Sequence, residues 1–344
     1  MNAPIFTIIV PCYNEEDVLV ETIDQLAAKL SELIKQNMVS EKSKVLFVDD
    51  GSEDRTWHLI YKASLDNEMI KGLKLSRNAG HQNALLAGLF SAKEASDCMV
   101  TIDADLQDDI HAINEMVRKF NEGYEVVYGV RSSRESDTFF KRFTAEGFYK
   151  LMDKLGAKLV FNHADFRLMS KRAVEELEQF AESNMFLRGI VPLIGFNSTS
   201  VYYERKERHA GETKYPLKKM LGFAFDGITS FSVTPIRFVM IVGCLSFFVS
   251  LVFGLYFLTL KLFGNTELGW TSLITSIWLI GGLQLIALGL VGEYIGKIYK
   301  ETKRRPKFIV DVDLFNLPVS RKLINMEGAD YEPISETRKL SENN

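Results

Sequence analysis

Cys98-Met99-Val100-Thr101-Ile102-Asp103-Ala104-Asp105-Leu106-Gln107-Asp108 opens as a short apolar run and breaks abruptly into carboxylates. The run is too short for a buried helix and rich in β-branched residues, so it reads as a buried strand with acids at its carboxyl end. Two earlier stretches follow the same plan. Phe6 to Val10 leads into Pro11-Cys12-Tyr13-Asn14-Glu15-Glu16, and Val45 to Val48 leads into Asp49-Asp50-Gly51-Ser52.

Outward from these points the chain alternates strands and helices. Helical patterns fall near Asp17 to Lys35, Asp54 to Leu65, Gln82 to Lys93 and Ala112 to Asn121, and further strands at Ile70 to Leu75 and Glu125 to Gly129. Such alternation predicts an α/β domain, a mostly parallel sheet with helices on both faces. Ligands of these sheets bind beyond the carboxyl ends of the strands, where the acids lie.

Neither G-x-G-x-x-G nor G-x-x-x-x-G-K-[ST] occurs, which argues against a dinucleotide fold and a P-loop. A bound diphosphate would instead need a divalent cation on oxygen ligands, which Asp103, Asp105 and Gln107 can supply. The formal net charge of −4 over 344 residues gives no reason to expect a nucleic-acid partner. Cys12, Cys98 and Cys244 are too few and too scattered for a disulfide framework or a zinc site. His81, His163 and His209 read as structural or hydrogen-bonding neighbours, and no Ser-His-Asp arrangement emerges.

The first residues have no basic region and soon turn polar, unlike a signal peptide, so the first domain is expected in the cytoplasm. Two later runs are uncharged, Phe238 to Leu260 and Leu268 to Gly292. Each is long enough for a hydrocarbon core of about 30 Å, predicting a membrane hairpin with spans at about 236–260 and 269–292. Lys214, Lys218, Lys219 and Arg237 precede the hairpin, Lys297, Lys300, Lys303, Arg304, Arg305 and Lys307 follow it, and its loop holds only Lys261 and Glu267. Both termini are therefore expected on the cytoplasmic side of a multi-pass cell-membrane protein. Gly281, Gly282 and Gly289 offer a packing face for a homo-oligomer. The expected domains are 1–230 (catalytic), 231–296 (membrane hairpin) and 297–344, the last a basic segment that becomes a peripheral, flexible tail after about Asp311.

The quoted motifs, with Ser76-Arg77-Asn78-Ala79-Gly80-His81-Gln82-Asn83-Ala84, Gly129-Val130-Arg131, Phe140-Lys141-Arg142, Asp165-Phe166-Arg167-Leu168-Met169, Phe186-Leu187-Arg188-Gly189 and Arg208-His209-Ala210-Gly211-Glu212-Thr213-Lys214-Tyr215, resemble a family-2 glycosyltransferase of the GT-A fold. The branch is that of polyprenyl-phosphate transferases, which includes bactoprenol glucosyltransferases and dolichyl-phosphate mannose synthases.

This resemblance implies that Pro11, Tyr13, Glu15, Val48, Asp50 and Ala104 cradle the nucleotide, with Asp50 accepting from a base N–H. Asp105 and Gln107 would hold Mg²⁺ or Mn²⁺, with Asp103 on ribose or metal. Arg208 and Lys214 would close over the leaving diphosphate, and Arg131 and Arg142 would grip the lipid phosphate. Residues 138–155 would form an amphipathic helix in the membrane interface, its apolar stripe being Phe140, Phe143, Gly147 and Leu151. The implied reaction is inverting transfer of a hexose, glucose or N-acetylglucosamine, from a UDP-sugar to undecaprenyl phosphate. A flippase and a lumenal or extracellular glycosyltransferase would act downstream. Asp165 is a candidate base, acceptor-orienting group, sugar-positioning group or counter-charge to neighbouring arginines. An ionised phosphate acceptor, with a second pKa of about 6, needs no strong base.

Two other enzymes remain in view: a GDP-mannose transferase like the dolichyl-phosphate mannose synthases, and a processive polysaccharide synthase. The synthases share a Gln-x-x-Arg-Trp motif that precedes none of Trp57, Trp270 and Trp278.

Overall fold

The structure, a computed structural model, describes residues 3–132, 163–180, 182, 187–204, 236, 239–245, 248–249, 252, 255–256, 259 and 269–316. The expected interfacial helix at 138–155 lies outside the described residues, as does much of the expected first span.

The strands are β1 (Phe6–Cys12), β2 (Lys44–Asp49), β3 (Ile70–Leu75), β4 (Cys98–Thr101), β5 (Val126–Arg131), β6 (His163–Ser170), β7 (Ser198–Tyr203) and β8 (Val310–Asp313). They form one sheet in the order β7-β5-β6-β4-β1-β2-β3-β8. β1 pairs in parallel with β2 and with β4, β2 with β3, and β5 with β7. The sheet is nevertheless mixed, because β6 runs antiparallel between β4 and β5, and β8 antiparallel along β3. None of β6, β7 and β8 is among the strands expected from the sequence. β6 is a polar-looking stretch whose charged Asp165 and Arg167 are buried against each other, and β8 is too short to show an alternation.

The helices are α1 (Leu19–Lys35), α2 (Thr56–Asp66), α3 (His81–Ala92), α4 (Ala112–Asn121), α5 (Lys171–Glu178), α6 (Leu187–Ile190) and α7 (Trp270–Thr302). In α1 the buried residues Leu19, Ile23, Leu26, Leu30 and Leu33 recur at helical spacing and form one stripe on the sheet. Apolar residues of α1, α2 and α4 close one face of the sheet, and those of α3 and α5 the other. Burial on both faces explains why β1 is apolar almost throughout. α3 sits especially close, since a Cβ on Gly88 would stand 2.4 Å from Ile9 Cγ2.

From β1 the chain moves one way through β2 and β3, then crosses to the opposite side of β1 to lay down β4. The order reverses between β1 and β4, so a crevice opens at their carboxyl ends, the usual ligand position in such sheets. The sequence after β1 and after β4 meets there.

α7 contains the expected second span and continues past Gly292 through Glu293, Lys297 and Lys300. Counting only the described residues, no helix is long and apolar enough to cross a membrane. Several side chains within 270–279 are not among those described.

The chain after α7 returns to the sheet as β8, so the stretch expected to turn peripheral after about Asp311 begins in a strand. β8 extends the ladder on β3, flanked by Ser76 N donating to Ile309 O (2.9 Å) and Leu314 N to Gly72 O (2.9 Å). Leu314 is buried, Phe308 and Phe315 pack on the α3 side of the core, and Lys307 Nζ donates to Phe180 O (2.8 Å). This strap covers an edge that would otherwise expose unpaired backbone groups. Leu314→Ala is expected to lower the unfolding free energy of the full chain by about 2–3 kcal/mol, as for other buried leucines. Denaturant unfolding followed by tryptophan fluorescence measures this, and an unchanged midpoint would show that the strap does not stabilise the sheet.

Candidate active site

The rim of the crevice is built by loops that hold one another. Asn14 N donates to Ser52 Oγ (3.0 Å), Glu53 N to Asn14 Oδ1 (2.9 Å) and Glu15 N to Thr56 Oγ1 (2.9 Å), so the β1 and β2 loops interlock. Tyr13 is exposed above them, whereas Pro11 is buried in β1. Val48 and Ala104, expected against the nucleotide, have side chains buried in the core, and the Ala104 carbonyl accepts from Thr22 Oγ1 (2.7 Å).

Asp50 was expected to meet a base N–H. Its two oxygens instead accept from Ala79 N (2.7 Å) and Gly80 N (2.9 Å). Burial raises its pKa, against these two amides. Asp50 therefore ties the β2 rim to the loop that starts α3. That loop passes directly over Gly51, at φ +68°, where a Cβ would lie 2.5 Å from the Arg77 carbonyl carbon; only glycine fits both conditions.

After β4, Asp103, Asp105 and Gln107 come together on one tight loop, with Gln107 N donating to Asp105 Oδ1 (3.3 Å). Leu106 between them has φ +45°, a left-handed conformation that a branched side chain adopts at a cost of about 1–2 kcal/mol. Such strain persists only where the surroundings impose it. The Asp103 side chain keeps 41 % of its surface open, and His81 Nε2 stands 3.6 Å from it. Despite that opening, desolvation by the surrounding protein raises Asp103 to about 6, against the attraction of His81 and with repulsion from Asp108, Asp165 and Asp105 added.

Across the crevice Asp165, on β6, is 8 % exposed and surrounded by donors. Arg167 Nη2 (2.5 Å), Arg188 Nη2 (3.1 Å) and Gln82 Nε2 (3.3 Å) reach its carboxylate, with His81 Nε2 at 3.9 Å. Burial alone would raise its pKa, but Arg188 and Arg167 outweigh burial and hold it below the usual carboxylate range. A group so firmly ionised is a weak proton acceptor. Of the roles considered for Asp165, the contacts with Arg167 and Arg188 match the counter-charge.

Arg131, at the end of β5, meets Asp108 rather than standing alone: Nη2 and Nε lie 3.0 and 3.3 Å from Asp108 Oδ1. Arg142, Arg208 and Lys214 lie outside the described residues. The sequence assigned no role to Asp108, Tyr203 or Arg188, and to His81 only that of a structural or hydrogen-bonding neighbour. All but Tyr203 sit inside the quoted motifs; what the sequence could not show is their convergence on buried carboxylates.

Among the described residues no group of three or more His, Cys, Asp and Glu is placed to hold a metal ion. The β4 loop offers two carboxylates and an amide oxygen, a hard oxygen set suited to Mg²⁺ or Mn²⁺ when diphosphate oxygens complete the shell. Burial is the main cause that raises Asp103, and a divalent cation would offset the repulsion from neighbouring acids that adds to it. The residues fit the ion.

An acidic rim at the switch point of an α/β sheet defines an enzyme site for a charged, nucleotide-like ligand. The family described as Glycosyl transferase family 2 matches residues 7–178, and the chain belongs to it. The chain is 60 % identical over 319 residues to "Uncharacterized glycosyltransferase YkoT" of Bacillus subtilis (strain 168), covering 93 % of this chain and 95 % of the relative. It is 38 % identical over 309 residues to "Bactoprenol glucosyl transferase" of Shigella phage SfV, covering 88 % and 97 %. A crystal structure of glucosyl-3-phosphoglycerate synthase from Mycobacterium tuberculosis, with Mn²⁺, UDP and phosphoglyceric acid, aligns over 66 % of this chain and 76 % of its own at TM-score 0.45 and 15 % identity. The chain is a glycosyltransferase built on a mixed α/β sheet.

Asp165→Asn removes the charge that balances Arg167, itself 1 % exposed. The variant is expected to lose about 3–5 kcal/mol of stability, the usual result of leaving a buried charge unpaired. Chemical denaturation of the purified variant measures the loss; wild-type stability would show that the arginines find other partners.

Proposed function

We propose that the enzyme transfers a hexose, glucose or N-acetylglucosamine, from a UDP-sugar to undecaprenyl phosphate, inverting the anomeric centre. The observation that carries this reading is the near-full-length similarity to bactoprenol glucosyl transferases, in a chain that keeps the acidic rim intact.

In this reading Tyr13, Glu15 and Pro11 border the nucleotide, Asp50 fixes the loop beside it, and Val48 and Ala104 support it from the core. Asp105 and Gln107, with Asp103, hold Mg²⁺ or Mn²⁺, which when bound draws charge from the diphosphate leaving group. Arg208 and Lys214 stabilise the same charge as it develops. Arg131, with Arg142, binds the acceptor phosphate. One of its oxygens, already ionised, forms the new bond to the sugar C1 while the bond from C1 to the diphosphate oxygen breaks. Asp165 stays ionised and holds Arg188 and Arg167 in place.

The acceptor is a lipid, so the site must reach a bilayer. We read 236–260 and 269–292 as a transmembrane hairpin, with 138–155 lying in the interface and the catalytic domain and both termini cytoplasmic. The apolar side chains exposed along α7, among them Ile277, Leu285 and Leu288, suit lipid contact. The product would serve cell-envelope glycosylation after a flippase and a transferase on the far side have acted on it.

Purified full-length protein incubated with a radiolabelled sugar nucleotide, Mg²⁺ or Mn²⁺ and undecaprenyl phosphate tests the reading. UDP-glucose, UDP-N-acetylglucosamine and GDP-mannose are tried in turn. A chloroform-soluble labelled product from a UDP-sugar, abolished by EDTA and restored by the metal, is expected. No lipid product with any donor contradicts the acceptor; product from GDP-mannose alone contradicts the UDP-sugar.

A further inference from the structure

Asp108 has no role in the reaction as described, yet it is the most enclosed carboxylate of the β4 loop, at 2 % exposure and one residue past Gln107. A single oxygen, Oδ1, accepts from three donors: Arg131 Nη2 (3.0 Å), Arg131 Nε (3.3 Å) and the Tyr203 hydroxyl (2.6 Å). The donors come from adjacent parallel strands, β5 and β7, where Arg131 and Tyr203 stand in register. Tyr203 is 5 % exposed, and its ring meets Phe166 edge-on at 5.3 Å between centroids, which fixes the hydroxyl.

Holding a guanidinium through Nε and Nη2 sets the plane of the group, not merely its position. The Arg131 side chain keeps 27 % of its surface open, so the group is anchored from within while part of it faces outward. A carboxylate this deep is costly unless paired, and its pairing joins the loop of Asp103, Asp105 and Gln107 to the strand that carries Arg131.

We propose that Asp108 and Tyr203 are positioning residues, which aim the Arg131 guanidinium at the acceptor phosphate and keep it at a fixed distance from the loop that faces the donor diphosphate. The proposal rests on Arg131 binding that phosphate. The two substrates then meet in a frame set by one buried oxygen, Asp108 Oδ1.

Steady-state kinetics of the purified full-length chain test this, with undecaprenyl phosphate varied at saturating UDP-glucose and the reverse. Arg131→Ala comes first and is expected to raise the acceptor KM; if it does not, Arg131 is not the phosphate ligand and the functional reading is wrong at that point. Tyr203→Phe keeps the ion pair and the ring. It is expected to raise the acceptor KM about tenfold, the effect of one charge-assisted hydrogen bond, with the donor KM within about twofold. Asp108→Asn should exceed it and Asp108→Glu restore part of the loss. If Arg131→Ala raises the acceptor KM while folded Tyr203→Phe and Asp108→Asn leave it at the wild-type value, the positioning role is overturned. A defect confined to the donor KM, or to melting temperature alone, overturns it equally. If Asp108→Asn does not fold, Tyr203→Phe decides.

Discussion

Several carboxylates are brought to one half-buried rim, and each has to be compensated. Asp50 is met by two backbone amides, Asp165 by Arg167 and Arg188, and Asp108 by Arg131 and Tyr203. Apart from Arg167, which shares β6 with Asp165, the compensating groups come from other stretches of chain, so neutralising the acids also fastens the loops around the crevice. Asp103 is the exception in kind: repulsion by its acidic neighbours adds to burial in raising its pKa, and His81 is its nearest basic group. A divalent cation at that loop would offset this repulsion.

The fold was largely legible because the parallel core obeys simple rules. β1 and β2 are buried on both faces and read as continuous apolar runs, while α1 carries its stripe at helical spacing. β6 escaped because its burial depends on a charge pair, Asp165 with Arg167, that looks like surface sequence until both partners are seen together. β8 escaped because four residues hold too little pattern, and their strand conformation comes from the waiting edge of β3. The acids of the site were legible as strand ends, but their assignments were less so. Asp50 and Val48, expected at the ligand, have structural partners that the sequence does not show, the backbone of the α3 loop for one and the core for the other.

The strap gives the architecture a consequence for function. α7 leads through Lys307 into β8, so the helix that contains the expected second span is tied to the sheet edge beside β3 by main-chain bonds and by Leu314. A lipid-linked acceptor stays at a fixed depth, and an enzyme that uses it gains from holding its site at a matching height. A main-chain ladder is a stiffer connection than a flexible linker of the same length.

In the proposed function the β4 loop is a metal and diphosphate site. Electron paramagnetic resonance of Mn²⁺, titrated into the full-length protein with UDP present, tests it most directly. The account predicts one tightly held Mn²⁺ per chain that depends on UDP and is lost in Asp105→Ala. Equal Mn²⁺ binding by wild type and Asp105→Ala would contradict it.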